Sequence, residues 1–379
     1  LSETLKVDVQ RYDLLVVGAG IVGLAHALEG VKRGLKVCVV EANTRPVGAS
    51  IRNFGFITVT GQAAGDTHRR AQRTRDVWDD IAPQAGIDIV HRGLWMIGQR
   101  PEAHDVLTEF MHTDMAAGCE LLTPQAAAMR APSLQLNSAA AVLYSPHERR
   151  VESRDAIPKL ISWLASAMGV SFRFGETVLD ISTPQVVTSR GQISAERVVY
   201  CPGTFLRSLF ADRIDAYRLT MCRLQMLRVM PDTALTLPGA VMSDLSLVRY
   251  AGYAALPAAA ALRSRLIAEE PQALADGIHL IAVQSADGSL VVGDSHHYDA
   301  TPEPFASAAV EDNILRHLSL SVAIGGYKVT ERWVGEYPSS SEHTAVIDCP
   351  DAATRVVLVT SGTGASTAFG LAQDVFSDW

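Results

Sequence analysis

Residues 13–41 read DLLVVGAGIVGLAHALEGVKRGLKVCVVE. Asp13 to Val17 is a short apolar run that stops at Gly18. Helical periodicity follows from Ile21 to about Arg33, and Gly34 closes it. Lys36 to Val40 is a second apolar run, ending at Glu41. The pattern predicts strand, helix and strand, and a right-handed crossover makes the two strands parallel.

Within this unit, Gly18-Ala19-Gly20-Ile21-Val22-Gly23 is a GxGxxG turn between a predicted strand and a predicted helix. Gly18 permits the tight turn, Gly20 lets backbone approach a pyrophosphate, and Gly23 lets the helix pack closely on the sheet. The helix start at Ile21 and Val22 offers N–H groups and a partial positive charge to an anion. Glu41, with Ala42 behind it, stands where a carboxylate accepts ribose hydroxyls and repels a 2′-phosphate. A glycine-rich turn with no ligand leaves that acid unexplained. The unit reads as a dinucleotide site.

What comes next separates FAD from NAD. An NAD dehydrogenase would continue the strand–helix alternation, whereas this chain runs into Gly48-Ala49-Ser50-Ile51-Arg52-Asn53-Phe54-Gly55. That small-residue loop suits the passage of a longer cofactor. Near the end, Val356 to Thr360 is a strand, and Ser361-Gly362-Thr363-Gly364-Ala365-Ser366-Thr367 is a glycine turn opening a helix. Its N–H groups form a second place to face negative charge, here a flavin edge.

The chain has 379 residues, enough for two or three structural units. With 33 Lys+Arg against 41 Asp+Glu, the net charge is −8, which argues against nucleic acid as the main partner. Five scattered cysteines (38, 119, 201, 222 and 349) form no CxxC and no metal-ligand spacing. No metal site is read from the sequence, and a reduced cytoplasmic setting is expected. Residues 1–12 carry no apolar signal core, and the longest apolar stretch, 14–28, is too short for a bilayer. No membrane partner is expected, and a homo-oligomer is allowed.

Further strands are predicted at 170–174, 197–200, around Val229, and at 279–283, 290–292 and 355–360, and helices at 67–82, 103–117, 153–167, 306–320 and from 364 onward. Residues 216–293 read as strand-rich and break the opening alternation. Residues 254–261 are an alanine-rich loop or surface helix interrupted by Pro257.

Taken with Val198-Val-Tyr-Cys201-Pro202-Gly203, Leu290-Val-Val-Gly293 and Trp333-Val-Gly335-Glu-Tyr337-Pro338, these stretches resemble the FAD-dependent oxidoreductases of the D-amino-acid oxidase superfamily, in the glycine and sarcosine oxidase branch. The resemblance covers nearly the whole chain. It implies a discontinuous α/β Rossmann-like FAD-binding domain (1–90, 147–215, 331–379) and an α+β substrate domain with a mainly antiparallel sheet (91–146, 216–330). It also places Ala49, Ser50, Val178, Cys201, Pro202, Gly203, Gly335 and Gly362 to Thr367 at the cofactor. The activity it implies is hydride transfer from an amine carbon to the flavin, imine hydrolysis, and reoxidation by oxygen with hydrogen peroxide release. A glycine, sarcosine or D-amino-acid oxidase, a flavin dehydrogenase with another acceptor, and a silent flavoprotein are the rival readings.

The departures concern the substrate. The glycine oxidase branch carries a carboxylate-gripping arginine in the segment where this chain has Tyr337, and the sarcosine oxidase branch a lysine where it has Ser366. The cysteine that attaches flavin in sarcosine oxidases is missing after Trp333, so non-covalent FAD is expected. The segments around Arg52, His147–Glu152 and Ser361–Thr367 are similar to family members associated with bacterial phosphonate breakdown. That likeness implies an aminophosphonate, such as 2-aminoethylphosphonate or its N-methyl or hydroxy derivative.

Candidate substrate residues are then Arg52 and Asn53 beside the flavin, Tyr337 in the position of the lost clamp, and Tyr250. Arg249 and Tyr250 are expected on a strand, where alternation lets only one face the pocket; Tyr250 is favoured. His296-His297 reads as a structural pair, the basic run at 68–75 as a solvated helix face, and Trp78 and Trp95 as core.

Overall fold

A computed structural model describes residues 10–377 and residue 379; the reading of residues 1–9 lies outside it. The opening unit forms as expected: strand β1 (Arg11–Val17), helix α1 (Ile21–Lys32) and strand β2 (Val37–Glu41), with the strands parallel. Leu14, Val16, Val37 and Val39 face the core beneath the helices, while Leu15, Cys38 and Val40 face a second cluster on the other side. Burial on both faces is what a parallel strand's continuous apolar run requires.

The first sheet has eight strands. Its parallel part runs Thr354–Val359, Gly191–Tyr200, β1, β2, Ser171–Phe174, so the far end of the chain completes a sheet begun by the near end. Gly30 in α1 lets the helix lie against β1, since a Cβ there would sit 2.6 Å from Leu14 Cδ2. The closing helix, Gly364–Ser377, packs beside it. Arg70 and Arg73 reach its Asp374 at 2.6 and 2.5 Å. Arg75 pairs with Asp76 and contacts His147. The basic run is therefore not simply a solvated face: it ties the helix Asp66–Gln84 to its neighbours, and of its arginines Arg69 is the most exposed.

The second sheet has ten strands and is antiparallel except where Ile89–Gly98 runs alongside Ala240–Ser243. Strands Phe56–Ile57, Ala141–Val151 and Tyr327–Ser339 lie wholly in it, so the sequence boundaries at 147 and 331 fall inside strands of the second sheet. Trp78 and Trp95 are core, as expected.

Residues 216–293 differ from the strand-rich reading. Between Ala240–Ser243 and Ile281–Gln284 the chain makes a 3-10 turn (Asp244–Val248) and helices Ala251–Ala254, Ala259–Glu269 and Pro271–Ala275. Ala259, Leu262, Leu266 and Ala273 are buried in the hydrophobic core that the second sheet shares. Alanine and leucine at helical spacing outweigh the local apolar content that suggested strands.

Candidate active site

A cavity of about 900 Å³ lies between the two sheets. Val17, Val40, Tyr200 and Val359, at the carboxyl ends of parallel strands, form part of its wall. Doubly wound sheets bind ligands at that edge. It is large enough for an extended cofactor with a small substrate at one end.

At the nucleotide end the backbone is shaped for close approach. Gly18 has φ +104°, and a Cβ there would fall 2.6 Å from the Cys201 carbonyl oxygen. A Cβ on Gly23 would fall 1.9 Å from the Gly18 oxygen. Glu41 Oε2 accepts from the Ala19 N–H at 3.0 Å and Oε1 from the Asn43 N–H at 2.9 Å, which fixes the carboxylate at the cavity edge. Ser50 Oγ accepts from the Ile21 N–H at 2.9 Å, leaving its own proton for an anion. Ile21, Val22, Ala42, Ala49, Val178, Pro202 and Gly203 also line this wall. Burial pushes the Cys201 thiol well above its ordinary pKa, so no thiolate is available there.

Further in, Gly335, Gly362, Thr363, Gly364, Ala365 and Ser366 line the cavity. Gly362 has φ +71°, and a Cβ there would press on the Tyr337 ring at 2.8 Å. Ser366 is committed to structure, since its hydroxyl accepts from the Thr58 N–H at 2.9 Å. Thr367 does not reach the cavity: it is buried behind the turn, donating to the Thr363 carbonyl at 2.9 Å. A helix start turns successive residues around its axis, so the fourth residue faces the core.

Among the substrate candidates, Arg52 lines the cavity, its carbonyl held by the Trp333 indole N–H at 3.1 Å. Its guanidinium has no ion pair or hydrogen bond among the described residues. Asn53 also lines the cavity, but its amide is used locally. It donates to the Ala49 carbonyl at 2.8 Å and accepts from Gly55 N–H and the Ser153 hydroxyl. It shapes the loop instead of reaching outward.

Arg249 and Tyr250 are not on a strand. They close the 3-10 turn and open the short helix at Ala251, so alternation does not apply and both line the cavity. Arg249 Nη2 donates to the Tyr298 hydroxyl at 2.8 Å, and Tyr337 lines the same wall. Tyr337 stands where the resemblance places that arginine, and a guanidinium, Arg249, reaches the same cavity from another element. Burial, with the nearby Asp294 charge adding to it, pushes the Tyr250 phenol up, and burial pushes the Tyr337 phenol up. Both remain neutral donors.

Three residues were not singled out from sequence as partners. His279, Asp294 and His296 meet at the cavity wall, all buried, with His279 Nε2 3.0 Å from Asp294 Oδ1 and His296 Nε2 3.6 Å from Oδ2. His296 is therefore not half of a lone pair with His297, which lies 3.7 Å from Asp276 instead. Burial alone would raise the Asp294 carboxyl, but His296, His279 and Arg249 outweigh it and hold it near 2. Burial lowers His296 to about 3 and lowers His279 as well. The one linear signal was an acid directly after the apolar run ending at Gly293.

Comparison with known proteins places this architecture. The family model described as "FAD dependent oxidoreductase", DAO, matches residues 13–377. The chain belongs to that family. The glycine turn, the fixed Glu41 and the long cavity fit its FAD. This family member is 28% identical over 217 residues to a glycine oxidase of Geobacillus kaustophilus (strain HTA426), covering 53% of this chain and 57% of that one. It is 25% identical over 207 residues to an N-methyl-L-tryptophan oxidase of Yersinia pestis (strain Pestoides F), covering 52% and 55%. The matched region thus spans about half the length of these curated relatives. In fold, the crystal structure of glycine oxidase from Geobacillus kaustophilus superposes with a TM-score of 0.76 at 20% identity, covering 97% of this chain and 94% of that one. The FAD-bound L-alpha-glycerophosphate oxidase from Mycoplasma pneumoniae gives 0.73 at 15% identity, covering 98% and 95%. No helix among the described residues is long and apolar enough to cross a membrane.

Proposed function

We propose that this protein is an FAD-dependent oxidase of a small primary or secondary amine that carries an anionic group, and that the anion is a phosphonate. Substrates of this kind are 2-aminoethylphosphonate and its N-methyl and hydroxy derivatives. The observation that carries the reading is Arg249, a guanidinium in the cavity whose one side-chain hydrogen bond among the described residues goes to Tyr298, beside the Tyr337 phenol. A phosphonate has three acceptor oxygens and draws on more donors than a carboxylate. Arg249, Tyr298, Tyr337 and Arg52 supply such donors. In this reading Arg249 anchors the anion, and Tyr250 and Tyr337 orient the chain of the substrate. The glycine turn at 362–364 brings backbone N–H groups to the ring edge.

Bound FAD supplies the hydride acceptor and, with oxygen, the route to hydrogen peroxide; the imine product hydrolyses in water. FAD is held non-covalently in this reading, consistent with a protonated Cys201 and an exposed Cys349 that is not part of the cavity lining. The parts of the chain on the first sheet act as the cofactor domain, those on the second as the substrate domain, in a cytoplasmic enzyme. A second reading is an α-amino carboxylate, favoured by the planar fork of Arg249, which suits two carboxylate oxygens.

Anaerobic addition of 2-aminoethylphosphonate, its N-methyl derivative, glycine and sarcosine tests this, followed by admission of oxygen. Bleaching of the flavin by the phosphonates, then peroxide, is the expected result. Bleaching by glycine or sarcosine alone returns the protein to carboxylate substrates. Bleaching without reoxidation by oxygen makes it a dehydrogenase.

A further inference from the structure

His279, Asp294 and His296 come from a strand approach, a strand end and the residue two beyond it, and one ligating atom from each lies within 4.8 Å of the other two. Their hydrogen bonds fix which atoms face inward. His296 Nδ1 is 2.9 Å from the Gly277 carbonyl oxygen, which can only accept, so Nδ1 carries the proton and Nε2 a lone pair. Ser246 gives its hydroxyl proton to the His279 carbonyl at 2.6 Å, so its oxygen accepts from His279 Nδ1 at 3.4 Å. In that tautomer His279 Nε2 also presents a lone pair, 3.0 Å from Asp294 Oδ1; in the other, Nε2–H donates to the carboxylate.

With Ser246 accepting, two imidazole lone pairs converge on a carboxylate. The two imidazoles and, further off, the Arg249 guanidinium surround that carboxylate. Asp294 Oδ1 is buried without a hydrogen-bond donor, and Arg249 bonds to Tyr298 instead of to the carboxylate. Three such groups facing one point can hold a cation between them. The spacing selects its size. Ligands around a divalent ion at about 2.1 Å lie roughly 3.0–3.4 Å apart, whereas three acceptors around an ammonium lie about 4.7 Å apart. His279 Nε2 lies 3.0 Å from Asp294 Oδ1 and His296 Nε2 3.6 Å from Oδ2, the first within the metal range, the second just above it, and both well short of 4.7 Å.

We propose that His279, Asp294 and His296 form a divalent transition-metal site in the wall of the cavity. Two imidazoles and a carboxylate are a borderline donor set, suited to zinc, iron(II) or manganese(II). Each histidine has the outer-shell acceptor that orients a metal-binding ring: Gly277 O for His296 and Ser246 Oγ for His279. Three protein ligands leave a coordination position open, and the site lines the cavity. That position would take water or an oxygen of a bound anion. The site rests on these residues alone; only its use for a substrate anion depends on the reading above.

The test is a calorimetric titration of the chelator-treated holoprotein with Zn²⁺ and no amine present, with metal content measured by mass spectrometry. One equivalent bound at micromolar or tighter affinity is expected, weakened at least about 10²-fold in both Asp294→Asn and His279→Gln. The flavin spectrum and melting curve establish that each variant is folded, and His296→Gln replaces either one that is not. Absence of binding, or binding of equal strength in the folded variants, overturns the proposal. Because no substrate enters the titration, its failure leaves the amine reading untouched.

Discussion

The nucleotide end and the substrate end of the same cavity are built by opposite means. At the nucleotide end the work is done by backbone: glycines at 18, 20 and 23, a helix start, and one carboxylate, all within 24 consecutive residues from Gly18 to Glu41. At the opposite end, where we propose that substrate binds, the wall is made by side chains. Arg249, Tyr250, His279, Asp294, Tyr298 and Tyr337 arrive from the end of a 3-10 turn, a helix start, two loops flanking strands and two strands of the second sheet. Backbone requirements leave a local sequence signature, because only glycine tolerates a Cβ-free approach. A constellation assembled by tertiary packing leaves none.

If the two ends are separable, substitutions should divide cleanly between them. The largest effect is expected from Gly20→Val, whose Cβ would begin 3.0 Å from Ser50 Oγ and whose branches would fill the approach to the pyrophosphate. Lost N–H contacts and overpacking should together weaken FAD by about 10³-fold, read by flavin fluorescence titration. Melting of the apoprotein should change far less. Next, Arg249→Met should raise the half-saturating concentration of an anionic amine about 10²-fold, as expected for losing a charge-assisted bidentate contact. It should retain full flavin content, which separates the ends directly.

A third test lies beneath the nucleotide end. His26 is fully buried in α1, its Nδ1 2.7 Å from the Val22 carbonyl oxygen, and burial lowers its pKa to about 4. A folded pKa below the unfolded value of about 6.5 means that the unfolded chain binds the proton first. Stability is therefore lost as pH falls below about 6.5, and the loss levels off below about 4. His26→Met should remove about 2 kcal/mol of that acid-side loss at pH 5, with little change in FAD affinity. Thermal midpoints at pH 5 and 7.5 measure it; an unchanged difference between them rules the account out. The smallest effect is expected from Glu41→Gln, a roughly 10-fold weaker FAD, because the amide keeps one acceptor but loses the charge. A 10³-fold loss there would show that side chains also dominate the nucleotide end.

The same contrast explains what could be read from sequence. The strand–turn–helix unit, the dinucleotide site and the closing glycine turn followed from residue spacing alone. Thr367 was misplaced because helix rotation, not proximity in sequence, decides which residues face a cavity. Arg249 was ranked below Tyr250 on the assumption of a strand, which the helical run from Ala251 replaces. Asn53 was adjacent to the site, yet its amide closes its own loop. The histidine pair at 296–297 looked isolated because His279 and Asp294 join His296 only through the pairing of Ile281–Gln284 with Leu290–Gly293.

The most direct test of separable ends is the anaerobic reduction of bound flavin by 2-aminoethylphosphonate in the unaltered protein and in Arg249→Met. The account predicts equal flavin content and full bleaching in both, with half-saturation shifted about 10²-fold in the variant. Equal half-saturation in the two proteins would contradict it, and would remove Arg249 from the substrate end.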